Sequence, residues 1–380
     1  MNSSSSSTLI VGAGIAGLSL TLALLRQGRS VLLADRRPGA GAEGVGILLT
    51  GNAAQALAEL GLGAAAAAAA ERVAAVDYCD RDGQRLFELD LEARPGWGTF
   101  LCMHRHTLQQ LLLAAVGTEH VRWGAKIVDL EEAPDDVMVR WDDGTTSRHA
   151  LVVGADGVHS DLRRRLFGEV KTGLPGLAGW RFLARCPAGL QRPQYMLGNG
   201  CTLLLHPLPG GDLYCGAGPA DTALLVGGEP LEQLRRVFGD FGGFAPAVLA
   251  QLSADTPLLD TTYHCVQIPS WRSRRCVLVG DAAHACPPTL SQGGAMALED
   301  GLVLARHLAT EPHVPTALAG FEEQRRPRVS QALSASLDRM FANRLASEHF
   351  IEVRNTILRA VGAEQLAAAW GPLMADEARR

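Results

Sequence analysis

At 380 residues the chain can build one large core or two fused ones, and its 47 % hydrophobic and 20 % charged residues are those of a soluble globular enzyme. A formal net charge of −5 gives no electrostatic footprint for nucleic acid, and no apolar run reaches the roughly 18 residues that a bilayer span requires. Cys79, Cys102, Cys186, Cys201, Cys215, Cys265, Cys276 and Cys286 include no Cys-x-x-Cys and no histidine at ligand spacing. That points away from a metal site and toward reduced thiols in the cytoplasm.

In chain order, Ser3 to Ser7 read as an unstructured leader. The apolar run after them is expected to be a strand rather than a secretory signal, since no Lys or Arg precedes it. Thr8-Leu-Ile-Val leads into Gly12-x-Gly14-x-x-Gly17, an amphipathic stretch to Gly28, and a second apolar run from Ser30 to Asp35. This predicts a βαβ unit whose first turn takes a pyrophosphate. Gly12 allows the tight turn, Gly14 the close approach of phosphate, and Gly17 the packing of helix on strand. The helix start offers N–H groups and partial positive charge, and Asp35 is placed to accept from ribose hydroxyls.

Strand signals follow at Val121–Trp123, Val137–Trp141, Leu151–Val153 and Cys276–Val279, with helical patterns such as Ala53–Leu60 and Thr107–Val116. The alanine run from Ala64 to Ala70 is helix-compatible and carries no functional signal. Between Trp180 and Pro219 short alternating runs, Thr202–Leu205 and Leu213–Gly216, flank the turn Pro207–Asp212 and predict an antiparallel sheet. From Val314 on the sequence is Arg-rich and helical. The order is therefore interleaved: nucleotide domain, sheet insertion, nucleotide domain again.

Two further glycine–acid turns stand out. Leu151-Val-Val-Gly154-Ala-Asp156-Gly157 is a buried strand entering a turn, with Ser160 as a cap for a following helix. Asp156 reads equally as a structural Asp-Gly turn. Cys276-Val-Leu-Val-Gly280-Asp281-Ala-Ala-His284 repeats the pattern and runs on to Pro287-Pro288 and Gly293-Gly294, where a helix with Leu298, Leu302, Leu304 and Leu308 begins. The N–H groups of that helix start could hold a ring carbonyl bearing negative charge. His284 reads as a packed turn histidine before it reads as a base.

Together these three motifs resemble the single-component FAD-dependent aromatic hydroxylases, the group typified by para-hydroxybenzoate and salicylate hydroxylases. Softer marks are Gly46-Ile-x-Leu-x-x-x-Asn52-Ala, ending at Leu60-Gly-Leu, and His104-Arg105-x-x-Leu108. The resemblance covers nearly the whole chain. It implies an α/β fold: a Rossmann-like FAD-binding domain (residues 1–75, 99–170 and 276–345), an inserted mainly antiparallel β-sheet substrate domain (76–98 and 171–275), and a C-terminal helical segment (346–380). It places Gly12, Gly14, Ala16 and Gly17 at the FAD pyrophosphate, Asp35 at the adenosine ribose, and Arg36 and Arg105 along phosphate and ribitol. Gly46 and Val128 also fall along the cofactor. Asp156 lies in the motif associated with FAD and pyridine nucleotide, Asp281 at the ribitol, and Gly293, Gly294 and Ala295 at the isoalloxazine. Three positions depart from the family pattern: Ser291 replaces a usual Gly, Ala295 a frequent Asn, and His206 an aromatic Tyr beside a Pro.

The resemblance further implies NADH or NADPH as a transient electron donor and O2 as co-substrate. One oxygen atom passes through a flavin C4a-hydroperoxide into a small aromatic or polyketide-like compound. Pocket candidates are Arg181, Tyr195, His206, Tyr214, Tyr263 and Pro288. Arg181 could pair with a substrate carboxylate or with the flavin's partner, or be structural. His206 could take a phenol proton or be a strand histidine bonded to backbone. A flavin oxidase, reductase or halogenase on the same fold, or a non-catalytic flavoprotein, are the alternatives. The Trp-x-Trp-x-Ile-Pro segment of flavin halogenases is absent, since Trp271 and Ile268-Pro269 do not form it. The protein is expected to be a cytoplasmic monomer or homodimer with no nucleic-acid or stable membrane partner.

Overall fold

In the computed structural model, residues 7–41, 45–221, 227–342 and 347–374 are described; Ser3 to Ser6 of the expected leader lie outside them. The apolar runs become one parallel sheet. It contains β1 (Thr8–Val11), β2 (Val31–Asp35), β8 (Val121–Trp123), β12 (Leu151–Gly154) and β18 (Cys276–Leu278), in the order β18-β12-β1-β2-β8. Leu9, Ile10, Leu33, Val152, Val153, Val277 and Leu278 are fully buried, as the strands of a sheet covered on both faces must be. The crossover helix α1 (Ile15–Arg26) packs on α9 (Gly293–Thr310), so the first and last glycine motifs are neighbours in space.

The second large sheet joins β5 (Ala75–Asp80) and β6 (Arg85–Asp90) to five later strands: β13 (Gly173–Arg185), β14 (Gln194–Leu197), β15 (Thr202–Leu208), β16 (Asp212–Asp221) and β17 (Leu259–His264). Its order is β17-β13-β16-β15-β14-β5-β6, antiparallel at every pair except the parallel β14–β5. The outer face is covered by α6 (Pro230–Phe238) and α7 (Ala245–Leu249), whose Leu234, Phe238 and Val248 bury against Phe182, Leu203 and Leu213. The inner face is left for the site.

Two three-stranded sheets complete the frame. One, β3-β7-β4, is formed by β3 (Gly46–Leu49), β4 (Glu71–Val73) and β7 (Phe100–His104), and lies between the large sheets. The other, β11-β10-β9, comprises β9 (Ile127–Glu132), β10 (Val137–Trp141) and β11 (Thr146–His149). The remaining helices are α2 (Gly51–Glu59), α3 (Gly63–Ala68), α4 (Arg105–Val116), α5 (Asp161–Phe167), α8 (Asp281–His284), α10 (Val314–Ala342) and α11 (Glu348–Met374). Helix α10 lies on α9, and α11 spans from α2 to β6, tying the two halves together.

Behind α9 sits a buried ion cluster. Fully buried Arg325 donates to Asp300 Oδ1 (2.8 Å) and Glu299 Oε2 (2.7 Å), and Arg328 donates to both oxygens of Glu299 (2.7 and 2.8 Å). Asn52 on α2 donates to the same carboxylate (2.8 Å). Every charge there has a partner, the condition under which a buried pair is tolerated.

Candidate active site

The first turn is held by its own acid. Asp35, 6 % exposed, accepts from the Ala13 N–H (2.7 Å) and from the Arg37 N–H and Nε (2.8 and 3.0 Å). Burial raises its pKa, but Arg37 and the two backbone donors outweigh that and lower it. Gln109 on α4 braces the same turn by donating to Ala13 O (2.9 Å). Gly12 has φ +109°, and a Cβ there would stand 2.3 Å from Ala155 O. A Cβ on Gly17 would come within 1.9 Å of Gly12 O. Gly14 is the opposite case, with nothing within 4 Å of where its Cβ would project.

The second turn is a cap. Asp156 accepts from Ser160 Oγ (2.5 Å) and the Leu162 N–H (3.1 Å), while Ser160 Oγ accepts from the Arg163 N–H (2.9 Å) at the start of α5. The third turn leaves β18 through Gly280, at φ +59°. Asp300 Oδ2 accepts from the Gly280 N–H (2.8 Å) and from His284 Nε2 (2.6 Å). Burial alone would raise the Asp300 pKa, yet His284, Arg325 and the backbone donor hold it down at about 2. His284 is thus part of the scaffold that aims Asp281.

A cavity of roughly 640 Å³ opens between the two large sheets. Gly14, Ala16, Gly46, Arg105, Asp281, Gly293 and Gly294 meet in its wall with Arg181, His206, Tyr214 and Pro288. Arg36 is exposed and Val128 is 37 % exposed on β9; neither belongs to that wall, and neither do Gly12, Gly17, Asp35, Asp156 and Ala295. Arg37 is the arginine at the first turn, one residue from the sequence expectation.

One wall is a ladder of rings. Phe87, Tyr78 and Tyr195 stack with centroids 4.6 and 4.5 Å apart, and His206 meets Tyr195 (5.3 Å) and Tyr214 (5.8 Å) edge-on. His206, 1 % exposed, has Nδ1 near Cys102 Sγ (3.8 Å) and no partner on Nε2 among the described residues. It is therefore not the backbone-bonded strand histidine that its position allows. Burial pulls its pKa down to about 3. Tyr78, Trp180 and Arg339 also line the cavity, and nothing in their local sequence singles them out. Ser291, whose family counterpart is Gly, stands in the left-handed region (φ +55°), alone in this among the described non-glycine residues.

An FAD molecule needs an anion-tolerant helix start, a backbone it can approach and a walled space for its ring. The start of α1 carries no side-chain cap, Gly14 stands clear, and Gly293 and Gly294 open α9 on the cavity beside Asp281. These residues fit the group.

Residues 5–180 and 261–336 match the family model described as an FAD binding domain. The chain is 32 % identical to aurachin C monooxygenase/isomerase of Stigmatella aurantiaca, covering 86 % of this chain and 87 % of that protein. It is 30 % identical to 2-heptyl-3-hydroxy-4(1H)-quinolone synthase of Pseudomonas aeruginosa, covering 93 % and 94 %. A variant of Klebsiella pneumoniae HpxO solved with FAD superposes with a TM-score of 0.86 at 25 % identity, covering 96 % of this chain and 98 % of that one. A salicylate hydroxylase–substrate complex, at 22 % identity and TM-score 0.81 over 98 % and 97 % of the two chains, shares the fold. The chain belongs to the FAD-binding-domain family of aromatic-hydroxylase-like flavoprotein monooxygenases, and its cofactor is FAD.

Proposed function

We propose that the protein uses NADH or NADPH and O2 to insert one oxygen atom into a small fused- or single-ring aromatic compound of the quinolone or hydroxybenzoate kind. The observation that carries this is the shared cavity, whose wall takes glycines and Asp281 from the nucleotide fold and rings from the β-sheet insertion. The printed names of the relatives, a quinolone synthase and an aurachin monooxygenase among them, support the substrate class.

On this reading the turn from Gly12 to Gly17, with Ala16, would hold the FAD pyrophosphate, aided by α1. Asp35 and Arg37 would shape the ribose end, and Arg105, Gly46 and Asp281 would flank the ribitol. Gly293, Gly294 and Ala295 would back the isoalloxazine. Arg36 and Val128 are left to peripheral contacts, and Asp156 acts through its cap on α5. FAD, when bound, would relay the reducing equivalents of NADH or NADPH and activate O2. The protein's own work is to position a ring and exclude water. Residues 1–75, 99–170 and 276–345 act as the FAD-binding part, 76–98 and 171–275 as the substrate part, and 346–380 as a brace.

His206 has a role set by burial. With its pKa near 3 the imidazole is neutral across the working range, so its free Nε2 orients a substrate hydroxyl or carbonyl rather than storing a proton. Tyr214 and Pro288 close the space around the reacting carbon, and Arg181 faces the flavin side. All eight cysteines are free thiols, and no helix among the described residues is long and apolar enough to cross a membrane. The free thiols support the proposed cytoplasmic setting.

The test is to record the flavin spectrum of the purified protein and follow NADH and NADPH oxidation with a panel of quinolones, phenols and aromatic acids. Bound FAD, with slow oxidation accelerated by one compound class, is the expected result. Bound FAD that neither nucleotide reduces would turn the assignment toward an oxidase.

A further inference from the structure

His159, His206 and His264 line the cavity, and of these only His206, on β15, is buried. Tyr195 and Tyr214, on the two flanking strands, meet its ring edge-on at interplanar angles of 72° and 83° and hold its plane. The ring's one hydrogen-bond contact among the described residues is with Cys102 on β7, whose Sγ lies 3.8 Å from Nδ1. Nε2 has none. Cys102 is itself fully buried, and its Sγ has no other such contact among the described residues.

Both groups keep their neutral forms. Burial pulls the His206 pKa down to about 3 and pushes the Cys102 thiol up, and no charged group offsets the burial of the ring. What remains is which atom donates across the contact. If Nδ1 carries the ring proton, it points at sulfur, a weak acceptor, and leaves both the thiol proton and the Nε2 lone pair unpaired. If the thiol donates to Nδ1, the ring proton sits on Nε2 and is the single group left over. Buried polar groups settle toward the arrangement with fewer orphans. A carboxylate beside Nδ1 does the reverse, since it holds the proton on Nδ1 and leaves Nε2 as a base. Thr202, earlier on the same face of β15, also has an unpartnered Oγ1. A hydroxyl can donate or accept, so it sets no polarity in the wall.

We propose that Cys102 is a positioning residue: by donating to Nδ1 it fixes His206 as the Nε2–H tautomer, so that the wall meets the substrate with an uncharged hydrogen-bond donor. The substrate atom placed there is an acceptor, an oxygen or a bare ring nitrogen, and a compound that presents an N–H at that point is turned away. This rests on the monooxygenase reading and deepens it, because it sets the polarity that His206 demands. No bond forms or breaks at either residue, so the effect is read in binding and not in the chemical step.

The experiment is a long-range nitrogen–proton NMR correlation of the FAD-loaded protein with heavy nitrogen in its histidines, the His206 signal being assigned by its absence from His206→Gln. In the parent, which needs no substrate, the expected pattern is a neutral ring protonated on Nε2 and unchanged from about pH 8 to about pH 5. Cys102→Val removes the thiol proton at similar volume and should turn that pattern into a mixture of tautomers. Cys102→Ser restores a donor and should return it. With the compound that most accelerates nicotinamide oxidation, KM should rise about 3- to 10-fold in Cys102→Val, with kcat little changed, and recover in Cys102→Ser. A parent ring protonated on Nδ1, or charged within that pH range, overturns the proposal. A Cys102→Val protein that keeps the parent pattern does the same, as does a KM equal in all three proteins. If no ring compound accelerates nicotinamide oxidation, the monooxygenase reading falls with the substrate half of the proposal, while the NMR pattern still decides the half that concerns Cys102.

Discussion

The cluster behind α9 and the wall of the cavity use the same side-chain types to opposite ends. Behind α9, Arg325, Arg328, Glu299, Asp300 and His284 spend their polar atoms on one another and on backbone. In the cavity, His206 Nε2 and Thr202 Oγ1 have no partner among the described residues. The two regions adjoin, because Asp300 holds the Gly280 turn from one side while Asp281 faces the cavity on the other. The difference teaches how to separate scaffold from site: buried polar groups are paired in a folded protein, so those left over mark where a ligand completes the structure.

The largest expected effect comes from breaking the paired side. Arg325→Met leaves two buried carboxylates short of a partner and should lower unfolding stability by about 3–5 kcal/mol in denaturant titration. Arg339→Met, its cavity counterpart, should lower it by less than about 1 kcal/mol. Equal losses would erase the distinction.

Next come two of the buried histidines, His149 and His206. Burial lowers His149 to about 4 and His206 to about 3. For both, the unfolded chain takes up a proton near pH 6.5 while the folded chain does not. Their contribution is complete above that pH and is lost as pH falls, until about 4 for His149 and about 3 for His206. For His149, bonded to Ser7 Oγ and Ser147 Oγ (3.0 and 2.8 Å), the loss is about 3 kcal/mol. His149→Gln should flatten stability between pH 6.5 and 4; an unchanged slope would show that the ring is already charged in the fold.

A smaller effect, on affinity, is expected at Asp281. Asp281→Ala should weaken FAD binding by about 30-fold or more with the fold intact, read by flavin release on dilution. A folded variant that keeps stoichiometric flavin would remove Asp281 from the site. Smallest of all, Ser291→Gly relieves a left-handed residue at the cavity wall and should raise stability by about 0.5 kcal/mol, measured as a shift in Tm. A loss would mean that the Ser291 hydroxyl matters more than the backbone strain.

Much of the nucleotide fold was legible because its signals are local. Continuous apolar runs mark the parallel strands, and three glycine turns occur where backbone must approach backbone or ligand closely, as at Gly12 and Gly17. The Trp180–Pro219 hairpins were legible from alternation and from the turn at Pro207–Asp212. The site wall was not. Tyr78 comes from an early strand that joins the second sheet through a parallel pair with β14, and Arg339 comes from a long helix whose polar positions look solvent-facing in sequence. Arg37 was displaced by one residue from the expected Arg36 because either can follow a strand-ending Asp35; only the turn's geometry selects between them. Packing across the fold brings Tyr78 and Arg339 together, and no window of sequence contains both.

The central claim is oxygen insertion into a ring compound. Its most direct test is to run the FAD-loaded protein with NAD(P)H under isotopically heavy O2, using the compound that most accelerates nicotinamide oxidation, and to weigh the product. One heavy oxygen atom per product molecule, with none taken from water, is the predicted result. Nicotinamide oxidation that yields only hydrogen peroxide with every ring compound, or a product whose new oxygen comes from water, would contradict the account.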